Sequence, residues 1–146
     1  MTALDGAARH RAREAALQML YQWEVGRLSA HEAVVTYWPS RESDDDADLP
    51  EDARTFANAL VRGTIERVAE ADELIARHAR NWRLERMAII DRLVLRLAIY
   101  ELMAEETPAK VIINEAIELA RTFSGEEPVP FINGVLDAVR KTLGKE

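Results

Sequence analysis

The chain has 146 residues, no cysteine and a formal net charge of −7. That length suits one domain able to bury roughly 68 to 70% of its unfolded surface without a metal or disulfide, and the missing cysteines exclude disulfides, thiolate metal sites and a cysteine nucleophile. The average field repels phosphate, so nucleic acid would have to be met by a local basic cluster, and the first residues lack a signal-peptide core or a transit-peptide composition, which points to a soluble, cytoplasmic protein.

Such a cluster opens the chain. Arg9, His10, Arg11 and Arg13 precede the apolar positions Ala16, Leu17, Leu20 and Trp23 of a first helix that runs to Val25 and stops near Gly26. Arg9 and Arg13 share a face at i, i+4. Cations at a helix start oppose the dipole by about 0.3 to 1 kcal/mol each, and residues that work against a local rule point to a role elsewhere. Phosphate contact is that role, since arginine offers planar forks; the alternative is a solvated first turn whose stems cover the core edge. Ser29 and Glu32 have capping-box spacing for a short second helix closed by Trp38 and Pro39. From Pro39 to Pro50 no apolar period survives, and the stretch reads as an acidic loop. Its carboxylates Asp44, Asp45 and Asp46 are consecutive, point apart and lack a calcium loop's glycine, so they read as a solvated charge run.

From Glu51 a 3.6-residue period returns through Phe56, Leu60, Val61, Ile65, Val68, Leu74 and Ile75, predicting one long helix to Asn81. A short connection, Trp82 to Met87, leads into Ala88–Met103, the most apolar stretch of the chain. Its apolar residues wrap most of a helical wheel and leave Asp91, Arg92, Arg96 and Glu101 as a narrow wet side, which makes it a central helix packed on several sides. After a break at Glu105 to Pro108, the β-branched Val111, Ile112 and Ile113 allow an extended start, and a helix is committed from about Asn114 to Gly125. Pro130 suits the first turn of a last helix carrying Phe131, Val135, Ala138, Val139 and Leu143. The expected fold is all-α, with about seven helices in two small helical bundles sharing a core, bundle one over about 5–80 and bundle two over about 82–146.

No catalytic constellation is visible. His10, His31 and His78 are far apart, HExxH and glycine-rich phosphate loops are missing, and the serines have no base pattern beside them, so neither an enzyme nor a cofactor is expected.

RHRAREAALQMLYQWE, VLRLAIYEL, VIINEAIELA and FING with VLD after it, in this order over nearly the whole chain, resemble the NusB family of bacterial transcription antitermination factors. The resemblance implies two helical bundles, no catalysis and binding of the boxA element of ribosomal-operon leader RNA. It also implies the ribosomal protein NusE as partner, within a polymerase complex with NusA and NusG. By the same resemblance Arg9, His10, Arg11 and Arg13 match the arginine-rich RNA segment, Phe131 and Asn133 a second RNA contact, and Tyr21 and Asp91 the NusE face. Phe131 could stack on an unpaired base, or serve the core; Asn133 could instead fasten two helices, and Asp91 could pair with Arg92 or Arg96. Pro130 departs from the pattern, standing where the family commonly has a lysine. An acidic chain with one basic corner suits a basic ribosomal partner. The competing reading is a protein adaptor of the same fold with no direct RNA role; an RNA-binding module of an rRNA methyltransferase would need a catalytic domain, and none follows Glu146.

Overall fold

The computed structural model describes residues 4–41, 49–79 and 84–145. Among them are seven α-helices and no strand: α1 (Gly6–Glu24), α2 (Ala30–Tyr37), α3 (Glu51–Glu66), α4 (Val68–His78), α5 (Ile89–Ala104), α6 (Ala109–Phe123) and α7 (Val129–Thr142), with single 3-10 turns at Pro39–Arg41 and Leu84–Arg86. None of the described helices is long and apolar enough to cross a membrane. The chain separates into two compact units, Met1–Ile65 and Glu66–Glu146.

In the first unit, α1 starts at Asp5, whose carboxylate accepts from the Ala8 amide at 2.7 Å. That cap puts a negative charge at the positive end of the helix and offsets part of the cost of the arginines that follow. Its buried side is built from small and medium residues, Ala12, Ala15, Ala16, Leu17, Met19 and Leu20. After the C-cap Val25 the chain turns through Gly26, where a Cβ would lie 2.7 Å from the Gln22 carbonyl oxygen, and through Arg27 at a φ of 57°. The expected capping box is present: Glu32 N donates to Ser29 Oγ and Ser29 N to Glu32 Oε1, each at 3.1 Å. Tyr37 Oη donates to Gln18 Oε1 at 2.6 Å, which ties α2 to α1, and Trp38 Nε1 donates to Asn58 Oδ1 at 2.9 Å, which ties the end of α2 to α3.

The long helix expected from Glu51 to Asn81 is two helices. Arg67 leaves helical geometry, with φ −108° and ψ 23°, and folds its guanidinium onto Glu70 at 3.1 and 2.7 Å. No glycine or proline marks the break, and the apolar period continues across it. The division into units therefore falls at Ile65 and Glu66 instead of near residue 81, and α4 belongs with the second unit.

In that second unit α5 packs against α4, α6 and α7, as expected of a central helix. Leu93, Val94, Leu95, Leu97, Ala98, Ile99 and Leu102 are all buried, and full burial stabilises each of the larger ones by about 1.5 to 3 kcal/mol. The wet side is narrower than expected. Arg96 and Glu101 are only 7% and 5% exposed, and Arg96 is held from α4 by Asp72 through Nε–Oδ1 at 2.7 Å and Nη2–Oδ2 at 2.9 Å. A fixed fork of this kind lets a cation lie inside, because both partners keep hydrogen bonds after losing water. Glu105 closes α5 in the left-handed region at φ 62°.

Two further boundaries differ from the sequence reading. α6 begins at Ala109, not near Asn114: Val111, Ile112 and Ile113 are helical, and burial of Ile112 and Ile113 outweighs the small intrinsic preference of β-branched residues for strands. Its C-cap Ser124 is followed by Gly125 at φ 112°, a conformation that favours glycine. Pro130 lies within the first turn of α7, as expected, and Ile132, Val135, Leu136 and Val139 form the buried stripe.

Candidate nucleic-acid and partner interface

Each unit carries part of the candidate site. In the first, the basic cluster divides. Arg9 is exposed and makes no ion pair among the described residues. His10 and Arg11 are half-buried, and His10 Nε2 lies 3.8 Å from Glu14 Oε1, one turn along the helix. Arg13 does not share the exposed face of Arg9: it is 1% exposed, and its guanidinium carbon sits 5.3 Å from the centre of the Phe56 ring on α3. Helical spacing put Arg9 and Arg13 on one side, but Arg13 is buried against the ring of Phe56 while Arg9 is exposed. There the aliphatic stem packs inside and the cation meets an aromatic face. The exposed basic surface of α1 is thus Arg9 with the accessible parts of His10 and Arg11.

Farther along α1, Tyr21 is 38% exposed, and Val25, one turn later, is exposed too. A tyrosine with an apolar neighbour at i, i+4 makes a small docking patch of the composition that interfaces favour.

In the second unit, Phe131 stands on the first turns of α7 and Asn133 two residues on. Asn133 is exposed, and no described residue bonds its side chain, so it is not a fastening between helices. Phe131 is half-buried, not a core residue. Pro130 beside it is exposed and supplies no charge. Asp91, in the first turn of α5, pairs with neither arginine near it: Arg96 is held by Asp72, and Arg92 Nη1 donates to the Leu84 carbonyl at 3.2 Å. One carboxylate oxygen of Asp91, Oδ1, is buried with no hydrogen-bond partner. Asp91 and Phe131, read from the sequence as belonging to different faces, line one cavity of about 340 Å³ with Met87, Ser124 and Glu127. Ser124 and Glu127 carried no signal in the sequence, since they sit in an ordinary turn more than thirty residues from Asp91.

The acidic run 44–46 lies outside the described residues. Among those described, no three histidine or acidic side chains are grouped to hold a metal ion.

Comparison with known proteins agrees with this arrangement of helices. The model of the NusB family matches residues 10–141. A "Transcription antitermination protein NusB" from Solibacter usitatus (strain Ellin6076) is 48% identical, over 94% of this chain and 91% of its own length. A protein of the same name from Koribacter versatilis (strain Ellin345) is 47% identical over 94% and 92%. Among solved structures, T. maritima NusB superposes with a TM-score of 0.77 at 34% identity, covering 97% of this chain and 93% of that one. A structure of the antitermination factors NusB and NusE in complex with dsRNA superposes at 0.80 with 25% identity, covering 94% and 99%.

Proposed function

The chain belongs to the NusB family, and from that membership we propose that it is a transcription antitermination factor that binds boxA-type RNA together with NusE. It acts by binding and not by catalysis. The identity to proteins named for antitermination, which spans nearly the full length of both chains, is the observation that carries this reading. The RNA-binding residues are Arg9, His10 and Arg11 on α1 and Phe131 and Asn133 on α7; Tyr21 and Asp91 serve the protein partner. In the cytoplasm the pair joins RNA polymerase with NusA and NusG. The exposed guanidinium of Arg9 beside the half-buried His10 and Arg11 suits phosphates, a half-buried aromatic ring suits an unpaired base, and an exposed amide suits a base edge. Arg13 enters as support for α1, because it is buried and its guanidinium lies over the Phe56 ring.

The test is fluorescence anisotropy with a labelled boxA RNA, with and without NusE, against a scrambled strand and a duplex of the same length. Tighter binding of the single-stranded boxA sequence, strengthened by NusE and weakened by salt, is the expected result. NusE binding with no RNA preference in any arm would return the chain to a protein adaptor.

A further inference from the structure

The turn that leads into α7 is tied to α6 through Arg121. From the last turn of α6, Arg121 donates from Nε to Glu126 Oε1 at 2.7 Å and from Nη1 to Glu118 Oε1 at 2.8 Å. The two bonds differ in span: Glu118 lies one turn back on the same helix, whereas Glu126 lies beyond the helix end, past Gly125 and its φ of 112°. The Glu126 carbonyl in turn accepts from the amide of Val129, the first residue of α7, at 3.1 Å. Glu126 is therefore bonded backward to α6 through its side chain and forward to α7 through its backbone. Pro128 and Pro130 fix two of the backbone angles between it and Phe131, which leaves less slack between this tie and the start of α7. Electrostatics alone argues against a carboxylate here, since a negative charge near an RNA contact repels phosphate. A residue set against its local rule points to another task.

We propose that Arg121 and Glu126 are positioning residues for RNA binding: their bridge holds the α6–α7 turn in the arrangement that sets Phe131 and Asn133 in register at the start of α7. The proposal rests on the reading of Phe131 and Asn133 as RNA contacts and deepens it. An exposed ion pair biases a local equilibrium by about two- to fivefold, and a site that is competent for only part of the time binds more weakly by that same fraction. The bridge acts on affinity through the population of the competent turn and touches no phosphate itself.

Glu126→Gln and Glu118→Gln, measured in the full chain with labelled boxA RNA, separate the two bonds of the same arginine. Each removes one exposed negative charge, which by itself favours RNA. Only Glu126→Gln cuts the tie across the turn. It should bind boxA RNA about threefold more weakly than wild type in spite of its lost charge, whereas Glu118→Gln should bind as wild type or slightly tighter. Arg121→Gln should match Glu126→Gln and keep the wild-type slope of log affinity against log salt. In the RNA-free chain the amide NMR signals of Val129, Phe131 and Asn133 should move in Arg121→Gln and Glu126→Gln and stay in place in Glu118→Gln. Tighter binding by Glu126→Gln, or equal behaviour of the two glutamate variants, would reduce the turn to its charge and overturn the proposal. A slope flattened by about 0.7 in Arg121→Gln would make Arg121 a phosphate contact and overturn it as well. Asn133→Ala reports on the underlying reading. If it binds boxA RNA as wild type does, the α7 edge lies outside the RNA site and both readings fall; weaker binding by Asn133→Ala with wild-type binding by Glu126→Gln overturns the positioning role alone.

Discussion

α1 of the first unit and α5 of the second are both long helices in which arginines interrupt an apolar run, and each takes an arginine inside by a different route. α1 buries a side rich in alanine and lays Arg13 against the ring of Phe56. α5 buries large aliphatic residues and fixes Arg96 in a two-point fork with Asp72. At Arg13 the neighbouring helix supplies an aromatic face, and at Arg96 it supplies a carboxylate. Whether a charged position faces water is thus decided by what the neighbouring helix supplies at that turn, a long-range fact that helical spacing does not contain.

The sharpest test of α5 as a core helix is Leu97→Ala. Leu97 is 1% exposed on a helix packed by three others, so the cavity and transfer losses together should lower stability by about 2 to 5 kcal/mol. An unchanged urea midpoint would remove α5 from the centre of its unit. Next in size is Arg96→Met, expected to cost about 1 to 3 kcal/mol, below the 3 to 5 typical when one partner of a buried pair is removed. The reduction follows from Asp72, whose side chain is 28% exposed and can recover water. Adding Asp72→Asn should recover part of the loss, giving a coupling of about 1 kcal/mol in a double-mutant cycle. Strict additivity would show that the fork contributes no coupling to stability.

The same comparison shows how far the sequence could be read. The all-helical pattern, the capping box at Ser29, the Gly125 stop and Pro130 in a first turn were legible because each rests on residues within one or two turns. The break at Arg67 was not legible: Val68, Ala71 and Ile75 continue the apolar stripe of α3, and nothing local distinguishes a bent helix from a straight one. The early start of α6 was hidden by three β-branched residues whose burial overrides their preference. In the candidate site, Arg9 could be singled out from the basic start of α1, whereas Tyr21 and Asn133 were reached only through the family resemblance; all three are exposed. Arg13 was misplaced for want of knowing where Phe56 lies. The meeting of Asp91, Glu127 and Phe131 around one cavity joins three segments of the second unit, and no spacing rule connects them.

Arg13 and Arg9, four residues apart on α1, give the smallest effects and the cleanest separation of support from contact. Arg13→Ala removes a buried stem and a cation over an aromatic ring, which should cost about 1 to 2 kcal/mol, read as a lower urea midpoint. Arg9→Ala removes an exposed cation from the positive end of the helix dipole, so stability should move by less than about 0.5 kcal/mol and can rise. RNA affinity should separate the pair in the other direction. If Arg9 meets a phosphate of a single strand, its loss should flatten the plot of log affinity against log salt by about 0.7. Arg13→Ala should keep the wild-type slope whenever measured well below its own unfolding transition. Replacing both together would mix a fold defect with a contact defect, so the single variants are the informative ones. A wild-type slope in Arg9→Ala would return Arg9 to a solvated first turn; a flattened slope in Arg13→Ala would mean that its guanidinium leaves Phe56 when RNA arrives.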